Sequence, residues 1–121
     1  MKNFKKAEET VGTAKQLVDF GAAVKALKDG KRVCREGWNR KGLFIFEQIP
    51  SKVDLKIVPK MTSLPQFVKD EFIRRQTRNI NDPWNEIKYS NQLAMVYPDN
   101  NIYGWVASPS DILEEDWIIL D

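Results

Sequence analysis

Two short segments of this sequence combine indole rings with glycine and hydrogen-bonding side chains. They are residues 35–42 (REGWNRKG) and residues 104–117 (GWVASPSDILEEDW). Tryptophan offers a wide flat face on which a ring can stack, glycine lets a ligand approach the backbone, and asparagine or serine supplies directional hydrogen bonds. This combination is typical of a binding site for a nucleotide-like ligand.

Trp38 is the tryptophan whose surroundings favour ligand binding most clearly. Tryptophan is commonly buried for its area alone, so a single indole is weak evidence of a site. Trp38, however, is predicted in a polar turn between Gly37 and Asn39, where a side chain needed only for packing would be exposed without reason. Trp117 precedes the apolar residues 118–120 and is predicted to belong to the core.

The charged residues of these segments have structural as well as binding interpretations. Asp111 and Asp116 could form a carboxylate pair, but Ser110 and Asp111 are also typical of a helix N-terminus, and the capping interpretation is favoured. Phosphate contact is one interpretation of the cations, although a charged hairpin is more often only solvated. These cations are Arg32, Arg35, Arg40 and Lys41.

The composition removes the commonest catalytic and metal-binding groups. The 121 residues include no histidine and one cysteine, Cys34, so an internal disulfide and the usual zinc, haem and Cys–His sites are not expected. Carboxylate–metal and lysine-based mechanisms need no imidazole, but no cluster in the sequence supports either. The sequence therefore predicts a binding protein without catalytic residues, metal or cofactor, rather than an enzyme.

Charge and hydropathy predict a cytoplasmic protein. Nineteen basic and seventeen acidic residues give a net charge of +2, which is too even for general attraction to nucleic acid or anionic lipid to dominate. No stretch approaches the roughly 18 consecutive apolar residues of a membrane span, and no apolar signal-peptide core follows the basic N-terminal residues. We therefore expect no membrane association.

Two helices are predicted from apolar residues at helical spacing. The first covers residues 20–29, with Asp19 as its N-cap and Gly30 in the left-handed position after its end. The second covers residues 65–75 and begins at a proline.

Strands are predicted on either side of segments rich in turn-forming residues. Residues 37–42 and 98–101 are predicted to close antiparallel hairpins, and residues 77–84 are predicted to form a loop. The predicted strands are residues 31–36, 43–46, 86–97, 102–107 and 117–120.

This order of elements predicts an α+β fold: a small antiparallel sheet with helices packed on one side, in a single domain. Residues 1–18 are predicted to form an N-terminal tail. Residues 19–121 are predicted to form one ligand-binding domain with an insertion at about residues 50–87.

Taken together, the segments resemble the Thoeris anti-defense 2 family of phages and prophages. The resemblance covers roughly residues 19–49 and 88–121. It rests on residues 26–33 (ALKDGKRV), 35–39 (REGWN) with 41–44 (KGLF), and Gly104-Trp105 with Ser108, followed by residues 111–113 and 115–117. Pro109 and the longer stretch from 50 to 87 depart from the family's usual pattern.

The resemblance implies a sponge, which binds a cyclic ADP-ribose-derived immune signal and withholds it from the effector without degrading it. It further implies a homo-oligomer, a homotetramer, with ligand pockets where protomers meet, working in the cytoplasm of the bacterial host. Some family members also take up cyclic oligonucleotide signals.

Carried over by position, the resemblance also implies binding roles for individual residues. Trp38 and Trp105 would stack on the adenine or line its pocket, and Phe44 would add an apolar wall. The remaining members of the implied site would supply hydrogen bonds or offset pyrophosphate charge. These are Asn39, Ser108 and Asp111 for hydrogen bonds, and Arg35 or Lys41 for charge.

Two other functions remain open from the residues alone. Aromatic rings interleaved with Arg and Lys also suit a single-stranded nucleic-acid binding module, although the charge balance makes nucleic acid an unexpected partner. A phage structural domain without a ligand would use every tryptophan for its core or for an interface.

Overall fold

The computed structural model describes residues 16–39, 41–77, 82 and 85–121. The helices among them are α1 (Phe20–Lys28), α2 (Glu36–Asn39), α3 (Gln66–Arg74) and α4 (Pro109–Leu113), with a 3-10 turn at Val58–Lys60. The strands are β1 (Val33–Arg35), β2 (Phe44–Gln48), β3 (Ser51–Asp54), β4 (Glu86–Tyr89), β5 (Gln92–Val96), β6 (Ile102–Gly104) and β7 (Trp117–Ile119).

The predicted α+β fold class, with a small antiparallel sheet in a single small domain, is confirmed. Within this domain the chain divides into two compact units. The larger unit contains residues 16–48 and Gln92–Asp121, and the smaller unit contains Ile49–Asn91.

The larger unit is built on a five-stranded antiparallel sheet in the order β6-β5-β2-β1-β7. Val33 of β1 lies opposite Ile45 of β2, and Arg35 lies opposite Trp117 of β7. The β2–β5 pairing runs from Phe44 opposite Val96 to Gln48 opposite Gln92. The two chain ends that lead into the smaller unit therefore leave the sheet side by side.

Helix α1 covers one face of this sheet. The Asp19 carboxylate accepts a 2.8 Å hydrogen bond from the Ala22 backbone N–H and so caps the first turn, as predicted. Ala23, Ala26 and Leu27 are buried at the spacing expected for one side of a helix. Gly30 follows the helix with φ of 85°, the left-handed conformation that glycine adopts at low cost.

The two faces of the sheet carry different residues because side chains alternate along each strand. The face covered by α1, called here the helix face, contributes Val33, Ile45, Met95 and Trp117 to the core with Ala23, Ala26 and Leu27. The opposite face, called here the second face, carries Cys34, Phe44, Ala94, Val96 and Ile118. It is apolar as well, and Cys34, Ala94 and Ile118 are buried.

The smaller unit has a core of its own. Strands β3 and β4 form a two-stranded antiparallel sheet in which Val53 lies opposite Ile87. Leu55, Val58 and Ile87 are buried, and Phe72 of α3 packs against them. The predicted helix at residues 65–75 therefore exists as α3, and it lies in this unit.

One predicted strand is wrong, and two other predicted segments lie mostly outside the described residues. The strand predicted over residues 86–97 is wrong as one element: it is β4 and β5, in two different sheets, separated at Ser90 and Asn91. Most of the predicted tail and of the loop at 77–84 lies outside the described residues. The described end of the tail includes Val18, which pairs with Trp117 through backbone hydrogen bonds of 2.8 and 3.1 Å.

We expect Ile45→Ala to lower the free energy of unfolding by about 2–5 kcal/mol, because Ile45 is fully buried at the centre of the sheet. The same truncation at Ile49, whose surface is 81% exposed, should change it by less than about 0.5 kcal/mol. Urea titration of both variants measures the two values. Equal effects at the two positions would contradict the assignment of the core.

Candidate functional site

Three tryptophans form a cluster on the helix face, called here the indole cluster. The ring centroids of Trp38 and Trp105 lie 6.2 Å apart, and those of Trp117 lie 5.5 Å from Trp38 and 6.0 Å from Trp105. All three pairs meet edge to face, with interplanar angles of 80–82°. Phe20 of α1 packs on Trp117 with centroids 5.3 Å apart. The two segments singled out in the sequence therefore meet through their indoles.

Trp117 is the buried base of the indole cluster. It is fully buried, and its indole Nε1–H donates a 2.8 Å hydrogen bond to the backbone carbonyl of Asp111. Trp38 and Trp105 are only half-buried. The sequence prediction that Trp117 serves the core is confirmed, and the other two indoles keep part of their surface accessible.

Trp38 does not lie in an exposed turn as predicted. Residues 36–39 form the short helix α2, which directs Trp38 against the core formed by α1 and the sheet. The large apolar area of the ring explains the difference, because burying it on Trp117 and Trp105 stabilises more than an exposed polar turn would. The turn begins later, where the Lys41 N–H donates to the Trp38 carbonyl at 2.8 Å.

Trp105 is placed by the sheet edge. Its backbone N–H donates a 2.9 Å hydrogen bond to the Leu93 carbonyl of β5, immediately after β6 ends at Gly104. The ring thereby comes over the helix face, next to Trp117.

Arg35 ties both carboxylates of the C-terminal segment to strand β1. Its Nε and Nη2 atoms donate to the two oxygens of Asp116 at 2.9 and 3.2 Å, and Nη1 donates to Asp111 Oδ1 at 3.1 Å. The Arg35 and Asp111 side chains are only 20% and 11% exposed. In this partly buried setting a two-pronged guanidinium–carboxylate contact fixes geometry as well as charge.

Ser108 and Asp111 form a capping box at the start of α4. The Ser108 Oγ accepts a 3.1 Å hydrogen bond from the Asp111 N–H, and Asp111 Oδ2 accepts from the Ser108 N–H at 2.8 Å. The predicted helix start is therefore real but begins at Ser108, with Pro109 in the first helical position where no amide hydrogen is needed.

The surroundings of Asp111 keep its carboxylate charged. Burial alone would raise the pKa of Asp111, but the hydrogen bonds from Ser108 and Arg35 outweigh burial and hold the pKa below its usual value. The hydrogen bonds that Arg35 donates to Asp116 and Asp111 likewise raise the pKa of Arg35 despite the cost of its desolvation.

A groove of about 410 Å³ opens at the end of the sheet where β2 begins and β5 ends. We call it the Arg32 groove. Its lining includes Arg32 and Phe44, Leu43 and Tyr97 from the other side of the sheet, and the turn residues Gly42 and Asn100.

The wall of the Arg32 groove is shaped by a close approach of two turns. Gly42 has φ of 71°, and a side chain at this position would begin 3.6 Å from the Pro98 ring. Asn100 also adopts a positive φ, 67°, in the turn that connects β5 to β6.

Comparison with known proteins identifies the family. Residues 18–120 match the sequence model of the Thoeris anti-defense 2-like domain. The chain is also 34% identical over 106 residues to the Thoeris anti-defense 2 protein of Bacillus phage SP01, covering 88% of this chain and 98% of that protein. The chain belongs to the Thoeris anti-defense 2 family. This membership confirms the resemblance stated above and supports an anti-Thoeris function.

The fold of this Thoeris anti-defense 2 family member gathers most, not all, of the predicted site residues. Trp38, Trp105, Arg35, Ser108 and Asp111 lie in or next to the indole cluster, joined through Trp117 and the Arg35 ion pairs. The hydrogen-bonding capacity predicted for a ligand is largely engaged within the protein at Arg35 and Asp111.

The other predicted residues lie elsewhere or outside the described atoms. Phe44 alternates with Ile45 and so lies on the second face, where it lines the Arg32 groove and is directed away from the indole cluster. Lys41 is exposed beside Gly42. The side chain of Asn39 and all of Arg40 lie outside the described part of the protein.

Sequence reasoning did not single out Tyr97 or Asn100 as binding residues. The available signal was the alternation of Phe44 with Ile45, which predicts apolar side chains on both faces, beside the turn residues 98–101. No group of three or more metal-binding side chains occurs among residues 16–39, 41–77 and 85–121. In the part of the chain that the structure describes, no helix is long and apolar enough to cross a membrane.

We expect Asp111→Asn to destabilise this family member at neutral pH and to matter less in acid. A carboxylate whose pKa is lowered by folding contributes stability above its unfolded pKa, and that contribution is lost as the pH falls through the folded value. The difference in unfolding free energy between the two proteins should therefore be largest above about pH 5 and should shrink below about pH 4.

Urea unfolding at pH 7 and pH 3 measures this difference. Asp29→Asn, which removes the same charge at the end of α1, serves as the control. A stability difference for Asp111→Asn that is as large at pH 3 as at pH 7 would contradict the electrostatic role of this carboxylate.

Proposed function

We propose that this protein binds a cyclic ADP-ribose-type nucleotide signal and sequesters it without degrading it, and thereby blocks Thoeris immunity. The observation that carries the proposal is family membership across residues 18–120, a span that includes every residue assigned to the site. The proposal assigns no catalytic residue, so the protein acts by stoichiometric binding in the cytoplasm.

The indole cluster supports this proposal by its geometry. Trp38 and Trp105 are each half-buried against Trp117, so their orientation is set before a ligand arrives. Base–aromatic stacking contributes about 1–3 kcal/mol per base, and a site that is already ordered avoids the cost of ordering side chains on binding. The accessible surfaces of these two rings are the proposed contact with the adenine.

The polar residues of the site serve two purposes in this proposal. Arg35 and Asp111 hold the backbone around Trp117, and the ligand shares or exchanges some of their hydrogen bonds. Ser108 and Lys41 are exposed and lie in the two indole-bearing segments, where they can meet polar atoms of the ligand. Lys41 is then the residue proposed to offset the pyrophosphate charge, because the Arg35 charge is balanced by two carboxylates.

We further propose that pockets form between protomers of a homotetramer. Exposed apolar residues adjoin the indole cluster along the chain: Val106 is 88% exposed next to Trp105, and Leu113 at the end of α4 is 77% exposed. Ile112, beside Asp111, is 50% exposed. Exposed apolar residues grouped around a site favour contact with another protein surface.

The first experiment tests sequestration directly. The purified protein is incubated with the product of a Thoeris sensor enzyme, washed, heat-denatured, and the released compound is identified by mass spectrometry. We expect the intact signal to be recovered in proportion to the protein. Recovery of a cleaved compound would establish an enzyme instead, and recovery of none would reject signal binding.

The second experiment tests the indole cluster. We expect Trp38→Leu to weaken signal binding about tenfold or more, because a stacking surface is lost. Phe20→Leu is the matched control, since Phe20 packs on the same Trp117 ring from α1. Its melting temperature should fall while signal binding stays within about threefold of the unchanged protein. If signal binding weakened in both variants in proportion to the fall in melting temperature, the indole cluster would serve only for packing.

A further inference from the structure

The five-stranded sheet has one covered edge and one open edge. At the β7 edge, Trp117 exchanges backbone hydrogen bonds of 2.8 and 3.1 Å with Val18. At the other edge, β6 pairs with β5 alone among the described strands, and all three of its residues, Ile102–Gly104, are exposed. An open edge presents backbone groups that can pair with a further strand. The β6 edge is therefore a surface on which another chain can bind.

The hydrogen bonds to β5 show which backbone groups of β6 point outward. The Trp105 N–H donates to the Leu93 carbonyl, and the Asn101 carbonyl accepts from the Tyr97 N–H, both at 2.9 Å. The odd-numbered residues in 101–105 therefore direct their backbone groups toward β5, because each residue of an antiparallel strand alternates between the two sides. The even-numbered residues direct their N–H and carbonyl groups away from the sheet.

This edge has none of the usual features that prevent strand pairing. Proteins commonly protect an open edge with a charged side chain, a proline or a bulge. Residues 102–108 (IYGWVAS) contain no charged residue and no proline, and the register of β6 with β5 is unbroken. Ile102 and Tyr103 are 60% and 56% exposed. Gly104 has open space where a side chain would begin, so a second backbone can approach it closely.

We propose that β6 pairs with β6 of a second copy of this chain, antiparallel across a twofold axis, and joins the two sheets into one. With Gly104 opposite the partner's Gly104, the outward-pointing backbone groups of both strands meet. Ile102 then lies opposite the partner's Val106 on the second face. Trp105 lies opposite the partner's Tyr103 on the helix face.

The proposed register explains why the partner is a second copy. Each exposed apolar side chain of this edge lies opposite another apolar side chain, and such cross-strand pairs stabilise a sheet. No like charges meet, because the edge carries none. A surface that is complementary to itself under a twofold rotation is the property that a symmetric dimer requires.

The pairing adds a ring from the partner to the indole cluster. Directly opposite residues have Cβ atoms about 4.5–5.5 Å apart, so the partner's Tyr103 lies against Trp105. Within its own chain Tyr103 is held edge to face by Tyr97, with ring centroids 5.2 Å apart. The aromatic wall of Trp38 and Trp105 is then incomplete in a single protomer. This step rests on the proposed function, whereas the strand pairing does not.

The mass of the protein in solution tests the pairing. Gly104→Pro removes an outward N–H, and Gly104→Ala is the matched control because it keeps this N–H and fits the open space. Light scattering should show a halved mass for Gly104→Pro and an unchanged mass for Gly104→Ala. Ile102→Lys, at an exposed position where folding tolerates it, should also halve the mass because it places a charge against the partner's Val106.

Amide hydrogen exchange tests the pairing in the unchanged protein. The Gly104 amide is hydrogen-bonded in a paired edge and faces water in an open edge. By NMR we expect it to exchange at least about tenfold more slowly in the unchanged protein than in Ile102→Lys. The Tyr103 amide faces β5 in both proteins and should change by less than about threefold.

Two results would overturn the strand pairing. One is an unchanged mass in both Gly104→Pro and Ile102→Lys, which would place the contact between protomers elsewhere. The other is a monomeric unchanged protein with rapid exchange at Gly104, whose edge would be open to an extended segment of a different protein.

Signal binding separates this inference from the proposed function. The half-mass variants should bind the signal at least about tenfold more weakly, whereas Trp38→Leu should lose binding at full mass. Undiminished binding by half-mass Ile102→Lys would refute the contribution of the partner's Tyr103. If the unchanged protein bound no signal and the mass of Ile102→Lys were still halved, the proposed function would be rejected and the strand pairing supported.

Discussion

The burial of Trp117 is the interaction on which the larger unit depends. Its backbone pairs with Val18 on one side and lies opposite Arg35 on the other, so the residue lies within the sheet and not at a free edge. Its ring receives Phe20 from α1 and the edges of two further indoles, and its single polar atom is satisfied by the Asp111 carbonyl. A fully buried indole whose N–H is hydrogen-bonded gains the free energy of burying its whole apolar surface without the cost of an unpaired donor. Helix α1, helix α2 and the segment after β6 all contact this one side chain.

The fold could be predicted from the sequence where local signals agree with each other. Asp19, the apolar spacing over residues 20–29 and Gly30 each indicate the same helix, and the helix is there. Prediction was wrong where two elements of the same type follow one another. Ser90 and Asn91 are turn-forming residues within 86–97, but nothing local shows that β4 and β5, on either side of them, belong to different sheets. Partner choice depends on contacts distant in the sequence, which periodicity does not encode.

The candidate site was predictable in its residue types and less so in its geometry. Glycine and tryptophan in two polar segments indicated that residues 38 and 105 were unusual, and these indoles do meet. The helical turn of α2 was not predicted, because Gly37 and Asn39 are typical turn residues and the burial that favours a helix comes from Trp117, far along the chain. For the same reason Arg35 appeared to be available for phosphate, whereas its two carboxylate partners lie 76 and 81 residues away in sequence. Phe44 was grouped with the indoles by position in the chain, although alternation along β2 turns it to the second face.

The register of β2 against β5 bears on how members of such a family can differ in length. Gln48 and Gln92 lie directly opposite each other, and their side-chain amides are joined by a 2.9 Å hydrogen bond. The whole of Ile49–Asn91 therefore enters and leaves at what would otherwise be an ordinary hairpin end. Closing a longer loop costs only about 0.6 kcal/mol for each doubling of its length, so the length of the inserted segment has little effect on the stability of the sheet. This junction is a natural point for evolution to add, exchange or delete an entire folded module while the indoles and their supporting strands stay unchanged.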